Sequence, residues 1–137
     1  MLTTRRWATF ALTIPIVELA LTTGYIHATL GGPLFTLNAI GYGVLAAAYG
    51  AAAMGGDALL GRFAWAPRLA LFGYTLATVA GYLVMGPYFT LGWVAKAVEV
   101  ALLTLVAADL ARIYGTPDRL VGAIIGRAPR GPLTHSS

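Results

Sequence analysis

The chain has no cysteine, a single lysine, two histidines and five acidic side chains among its 137 residues. Without cysteine there can be no disulfide, thiolate zinc site, iron–sulfur cluster or thiol–disulfide exchange, and the sequence carries no mark of the redox state of its compartment. Charged residues make up 10% of the chain against 58% hydrophobic, and the mean hydropathy is +0.77. A soluble domain carries roughly 25% charge, so the balance excludes that class and indicates a membrane protein. The signatures of soluble enzymes are missing too. There is no G-x-S-x-G, no H-E-x-x-H, no phosphate-cradling G-x-x-x-x-G-K and no G-x-G-x-x-G after a strand. No repeat relates the two halves.

What is present is a set of long apolar runs. A helix needs about 20 apolar residues to cross a bilayer, so four spans and their connections use nearly the whole length. The expected fold is all-α: a polytopic membrane protein with four transmembrane helices in an up-down bundle over residues 1–114, then a short interfacial helix and tail over 115–137. The first run, Trp7 to about Leu30, is too long for the apolar core of a secretory signal, which is roughly 7–15 residues. It therefore reads as a membrane helix, stopped by Gly31-Gly32-Pro33. The second runs from about Leu34 to Met54 and stops at Gly55-Gly56-Asp57. Its small residues recur at four-residue spacing, as in Ala46/Gly50 and Ala47/Ala51, which lets backbones approach closely. The third covers about Pro67 to Met85, and Gly86-Pro87 ends it. Tyr88, Phe89 and Trp93 form an aromatic patch before the fourth, about Leu91 to Tyr114. Thr116 then caps a helix that starts at Pro117 and lies on the headgroups.

Eight of the nine basic residues, Arg5, Arg6, Arg62, Arg68, Arg112, Arg119, Arg127 and Arg130, flank the span ends that share one side. By the positive-inside pattern that side is the cytoplasm. Both termini are then expected to be cytoplasmic, in a prokaryotic inner membrane. The net charge of +4 and pI near 9.8 are explained by arginines meeting anionic lipid rather than nucleic acid.

The remaining polar residues lie within the spans. Counting back from the outer helix ends at about 1.5 Å per residue places His27 and Asn38 roughly 6 Å inside, Lys96 7 Å, Glu99 12 Å and Glu18 20 Å. Tyr25, Tyr42, Thr78 and Tyr82 fall at similar depths, so an outward-opening polar pocket lined by all four helices is expected. Lys96 and Glu99 stand i, i+3 and can meet on one face, either as a structural ion pair or with Glu99 as a proton or cation carrier tuned by Lys96. Glu18 has no charged neighbour in its own helix. It is protonated and hydrogen-bonded, paired with another chain, or titrated during transport. His27 follows Glu18 by nine residues and so points to the opposite side of the helix. One of the two therefore faces a second subunit or lipid. His27 reads first as an interfacial histidine bonded to Asn38 or a backbone carbonyl. Haem ligation is disfavoured, because the other histidine, His135, lies in the tail, and metal binding lacks a histidine or cysteine cluster. The stripes Asn38/Tyr42/Tyr49 and Tyr74/Thr78 read as packing contacts with hydrogen bonds across the bundle.

The stretch Ile14-Pro15-Ile16-Val17-Glu18-Leu19-Ala20-Leu21-Thr22-Thr23-Gly24 resembles the small multidrug resistance transporters, whose membrane glutamate exchanges protons for cationic drug. The resemblance covers less than a tenth of the chain and implies Glu18 as a proton and substrate carboxyl. Lys96 and Glu99, the long tail and the strong arginine bias depart from that family's pattern. Gly24-Tyr25-Ile26-His27, Leu37-Asn38-Ala39-Ile40-Gly41-Tyr42 and Lys96-Ala97-Val98-Glu99-Val100 together resemble small uncharacterised prokaryotic four-helix membrane proteins, which implies a fold and no activity. Two functions are expected from this reading. One is a non-catalytic accessory subunit of a larger membrane complex, docking through the small-residue face of helix two and the outward face of helix one. The other is a homodimeric proton-coupled transporter. A bound lipid, quinone or carotenoid fits either.

Overall fold

A computed structural model describes residues 2–127. Arg130, His135 and the rest of the tail from 128 onward lie outside the described residues. The chain forms helices α1 (Leu2–Leu30), α2 (Pro33–Leu60), α3 (Ala66–Met85), α4 (Thr90–Tyr114) and α5 (Pro117–Ile124), with a 3-10 turn at Gly61–Phe63 between α2 and α3. Four of them are long and apolar enough to cross a membrane. Each packs on its sequence neighbours and α1 closes the ring against α4, which makes an up-down bundle.

The connections follow from backbone chemistry. Gly31 and Gly32 turn the chain with φ of 71° and 89°, a left-handed conformation that costs a residue with a Cβ about 1–2 kcal/mol. Pro33 then opens α2 with its φ already helical. Gly55-Gly56-Asp57 does not stop α2, in contrast to the sequence expectation: the helix continues to Leu60. A glycine inside a helix costs only about 1 kcal/mol, whereas Gly61 takes φ 52° and turns the backbone out of the helix. At α5, Thr116 occupies the N-cap with extended backbone, but its hydroxyl makes no capping bond. Its carbonyl instead accepts from the amides of Arg119 and Leu120.

The core consists of Ile16, Ala20, Tyr42, Ala46, Tyr49, Leu71, Leu102 and Val106. Large apolar side chains such as Ile14, Leu21, Leu37, Val44, Leu76 and Val100 lie on the outside, as expected where lipid is the solvent. Lipid supplies no hydrophobic drive between helices, so close packing and polar contacts hold the bundle. At Gly24 an added Cβ would stand 3.2 Å from Tyr42 Cβ and 3.4 Å from the Ala39 carbonyl, so this glycine sets how near α1 and α2 approach. Part of the small-residue face of α2 is covered: Ala46 and Ala52 are buried and Gly50 lies over Val17, while Ala47 is exposed.

Candidate functional site

α4 buries Gly92, Ala95, Lys96, Glu99, Leu102, Val106 and Asp109 along one face. This single stripe carries two carboxylates, one on either side of an apolar layer built on Leu102 and Val106. Each carboxylate is the centre of a buried ionic cluster.

The first cluster joins α1, α3 and α4 around Glu99, which is fully buried. Lys96 pairs with Glu99 Oε2 and donates also to the Thr78 carbonyl at 3.3 Å, with its ammonium 5.4 Å from the centroid of the Tyr82 ring. The Thr23 hydroxyl donates to Glu99 Oε1 at 3.0 Å. His27 Nδ1 lies 2.7 Å from the Thr23 carbonyl. A carbonyl can only accept, so Nδ1 carries the hydrogen and the other ring nitrogen is left to face the acid. That Nε2 stands 3.8 Å from Glu99 Oε1, beyond hydrogen-bond reach. With a lone pair on Nε2 the cluster is one cation and one anion.

Tyr42 extends this cluster to α2. The Thr78 hydroxyl donates to the Thr75 carbonyl at 2.8 Å, so its oxygen accepts from Tyr42, also at 2.8 Å. Asn38 does not meet His27: its side-chain oxygen accepts from the Tyr74 hydroxyl at 3.0 Å. The expectation of a carbonyl partner for His27 is the one the geometry realises. Tyr82 is half-buried, and its ring meets Trp93 and Tyr88 edge-on. Tyr25 is 72% exposed and lines nothing in this site. The polar residues thus form a packed cluster in place of the expected open pocket.

Glu18 is on the other side of α1. It is exposed on the outer surface, as its nine-residue separation from the buried His27 requires, and its carboxylate has no hydrogen bond or ion pair among the described residues. The Glu18 carbonyl accepts from the Thr22 hydroxyl at 2.7 Å.

The second cluster, at the arginine-bearing end, went unnoticed in the sequence. Asp109 is 1% exposed. Its Oδ2 accepts from the Tyr49 hydroxyl and from Arg68 Nε at 3.1 Å, and its Oδ1 accepts from Arg112 Nη2 at 2.7 Å and Nε at 3.2 Å. Arg68 is itself buried, donates to the Ala64 carbonyl at 2.7 Å, and lies 5.6 Å from the centroid of the Tyr49 ring. The available signal was the register of Asp109: it follows Val106 by three and Leu102 by seven, which is the buried face.

Neither cluster presents a set of groups assembled around a reacting atom. What they do chemically is neutralise buried charge and tie four helices together. Comparison with protein-family models, curated proteins and solved structures returns no match to this chain.

Proposed function

We propose that the protein is a non-catalytic subunit of a larger membrane assembly and docks through the outward face of α1. The observation that carries this reading is Glu18, an unpaired carboxyl exposed at the midpoint of the span Arg6–Leu30. Against hydrocarbon such a group costs about 2.5–3.5 kcal/mol on insertion scales. A neighbouring transmembrane helix that offers a hydrogen-bond donor or a cation removes that cost. Trp7, Ala11, Ile14, Glu18, Leu21 and Tyr25 are all exposed and alternate at spacings of three and four, the pattern of a helix–helix seam. The other expected docking face, on α2, is partly covered: Ala46 is buried and Gly50 half-buried, while Ala47 is exposed. The arginine bias supports a prokaryotic inner membrane with both ends in the cytoplasm.

A second reading, a homodimeric proton-coupled transporter, is favoured by the His27–Glu99 approach of 3.8 Å. Against it, the apolar layer of Ile16, Leu71, Leu102 and Val106 lies between the two polar clusters and interrupts any relay through one chain.

Because the chain lacks cysteine, single cysteines report unambiguously. With the protein produced at its native level, cysteines at Ile14 and Leu21 should cross-link to a different membrane protein, while those at Leu76 and Val100 should not. Glu18→Ala should abolish the cross-link and leave bundle stability unchanged. Cross-links only between copies of this chain, together with cation flux lost in Glu18→Ala, would establish the second reading. Equal reaction from all four positions would sink the docking face.

A further inference from the structure

We propose that the cleft at the arginine-bearing end of the bundle is a binding site for a phosphate group, supplied by an anionic lipid headgroup. This inference is independent of the α1 seam. The cleft has a volume of about 760 Å³ and is framed by α1, α2, the 3-10 turn, α3, α4 and α5. Alanine and glycine, among them Ala52, Gly61 and Ala64, form much of its wall and leave space that larger side chains would fill. Arg62, Arg68 and Arg112 enter the lining, and no Asp or Glu does among the described residues.

The charge there is unbalanced. Among the described residues the acid that meets Arg68 and Arg112 is Asp109, and both of its oxygens are taken, Oδ1 by Arg112 and Oδ2 by Tyr49 and Arg68. Among the described residues, one negative charge set against three guanidiniums leaves an excess of two positive charges. Donors are left over as well, because the known bonds of Arg68 use Nε and Nη1 and those of Arg112 use Nε and Nη2. Arg62 lies 4.8 Å over the Phe63 ring and makes no ion pair among the described residues.

Trp65 is the second, independent observation. It lines the same cleft, and its indole Nε1 is a buried donor without an acceptor among the described residues. Burying such a group unsatisfied costs about 1–3 kcal/mol, and an indole N–H can only donate. The complement to three forked cations and one spare N–H is a compact, multiply charged acceptor, and phosphate is that group. A headgroup phosphate and a soluble phosphate share this chemistry. The cleft's place at the helix ends, where headgroups lie, favours the lipid.

The test uses the full-length protein in nanodiscs of neutral phosphatidylcholine, with the thermal unfolding midpoint as readout. Titrating in phosphatidylglycerol or cardiolipin should raise the midpoint saturably. Arg62→Gln and Trp65→Phe should each weaken the response about tenfold to a hundredfold, the effect of losing one hydrogen bond to a charged acceptor. Both lie outside the Asp109 network, so they should fold as the wild type does in neutral lipid. Arg119→Gln, away from the cleft, should leave the titration unchanged. A saturable response to inorganic phosphate in place of lipid would keep the phosphate site and reassign its source. No response to either, or a response that Arg62→Gln and Arg119→Gln weaken equally, would overturn the proposal.

Discussion

At the scale of single residues, the bundle is held by charges that cannot be separated cheaply. Glu99 is fully buried with Lys96, Thr23 and His27 around it. Removing one partner of a buried pair strands the other and costs about 3–5 kcal/mol, whereas removing both is often close to neutral. Lys96→Met should therefore lower the unfolding free energy in detergent by about 3 kcal/mol or more, and Lys96→Met with Glu99→Gln should recover most of it. Equal loss in the single and double variants would show that the pairing does not hold the fold. The pairing itself was legible, because i, i+3 spacing admits one geometry on a helix. What the carboxylate's other oxygen meets was not, since Thr23 stands 76 positions away in sequence and only the helix order brings it near. The surroundings of Asp109 were not legible for a related reason: its burial comes from Tyr49 and Arg68 on other helices.

At the scale of elements, length and composition were enough for the four spans, and the glycine–proline breaks placed two of the three connections. The end of α2 was not legible from its glycines, because two consecutive glycines weaken a helix without forcing it to stop, and the left-handed turn falls later, at Gly61. The short α5 allows a sharper prediction. Asp118 lies in its first turn, and a hydrogen bond from Thr116, helped by its own backbone amide, holds its carboxyl below the usual aspartate range. A carboxyl whose folded pKa is depressed contributes stability above its unfolded pKa and loses it as the pH falls through the folded one. Amide-exchange protection in α5 should therefore weaken as the pH drops below about 4, and Asp118→Asn should flatten that dependence. Protection that is equally pH-dependent in Asp118→Asn would assign the effect to another group.

At the scale of the whole molecule, an even number of spans returns the chain to the side on which it started. Thr4 and Arg127 then share a face, and Thr36 lies near the opposite one. With no native cysteine to interfere, an impermeant thiol reagent applied from the arginine-rich side should label cysteines at Thr4 and Arg127 and spare one at Thr36. Labelling of Thr4 and Arg127 from opposite sides would break the four-span topology.

The two carboxylates of α4 each have a countercharge three residues away on the same helix, Lys96 for Glu99 and Arg112 for Asp109. The fourth span thus brings its own neutralising partners and enters the bilayer as a nearly self-sufficient dipolar rod. Thr23, His27, Tyr49 and Arg68, already threaded, have only to receive it. A chain cut before Thr90 would leave three spans with buried donors waiting for acceptors that never arrive.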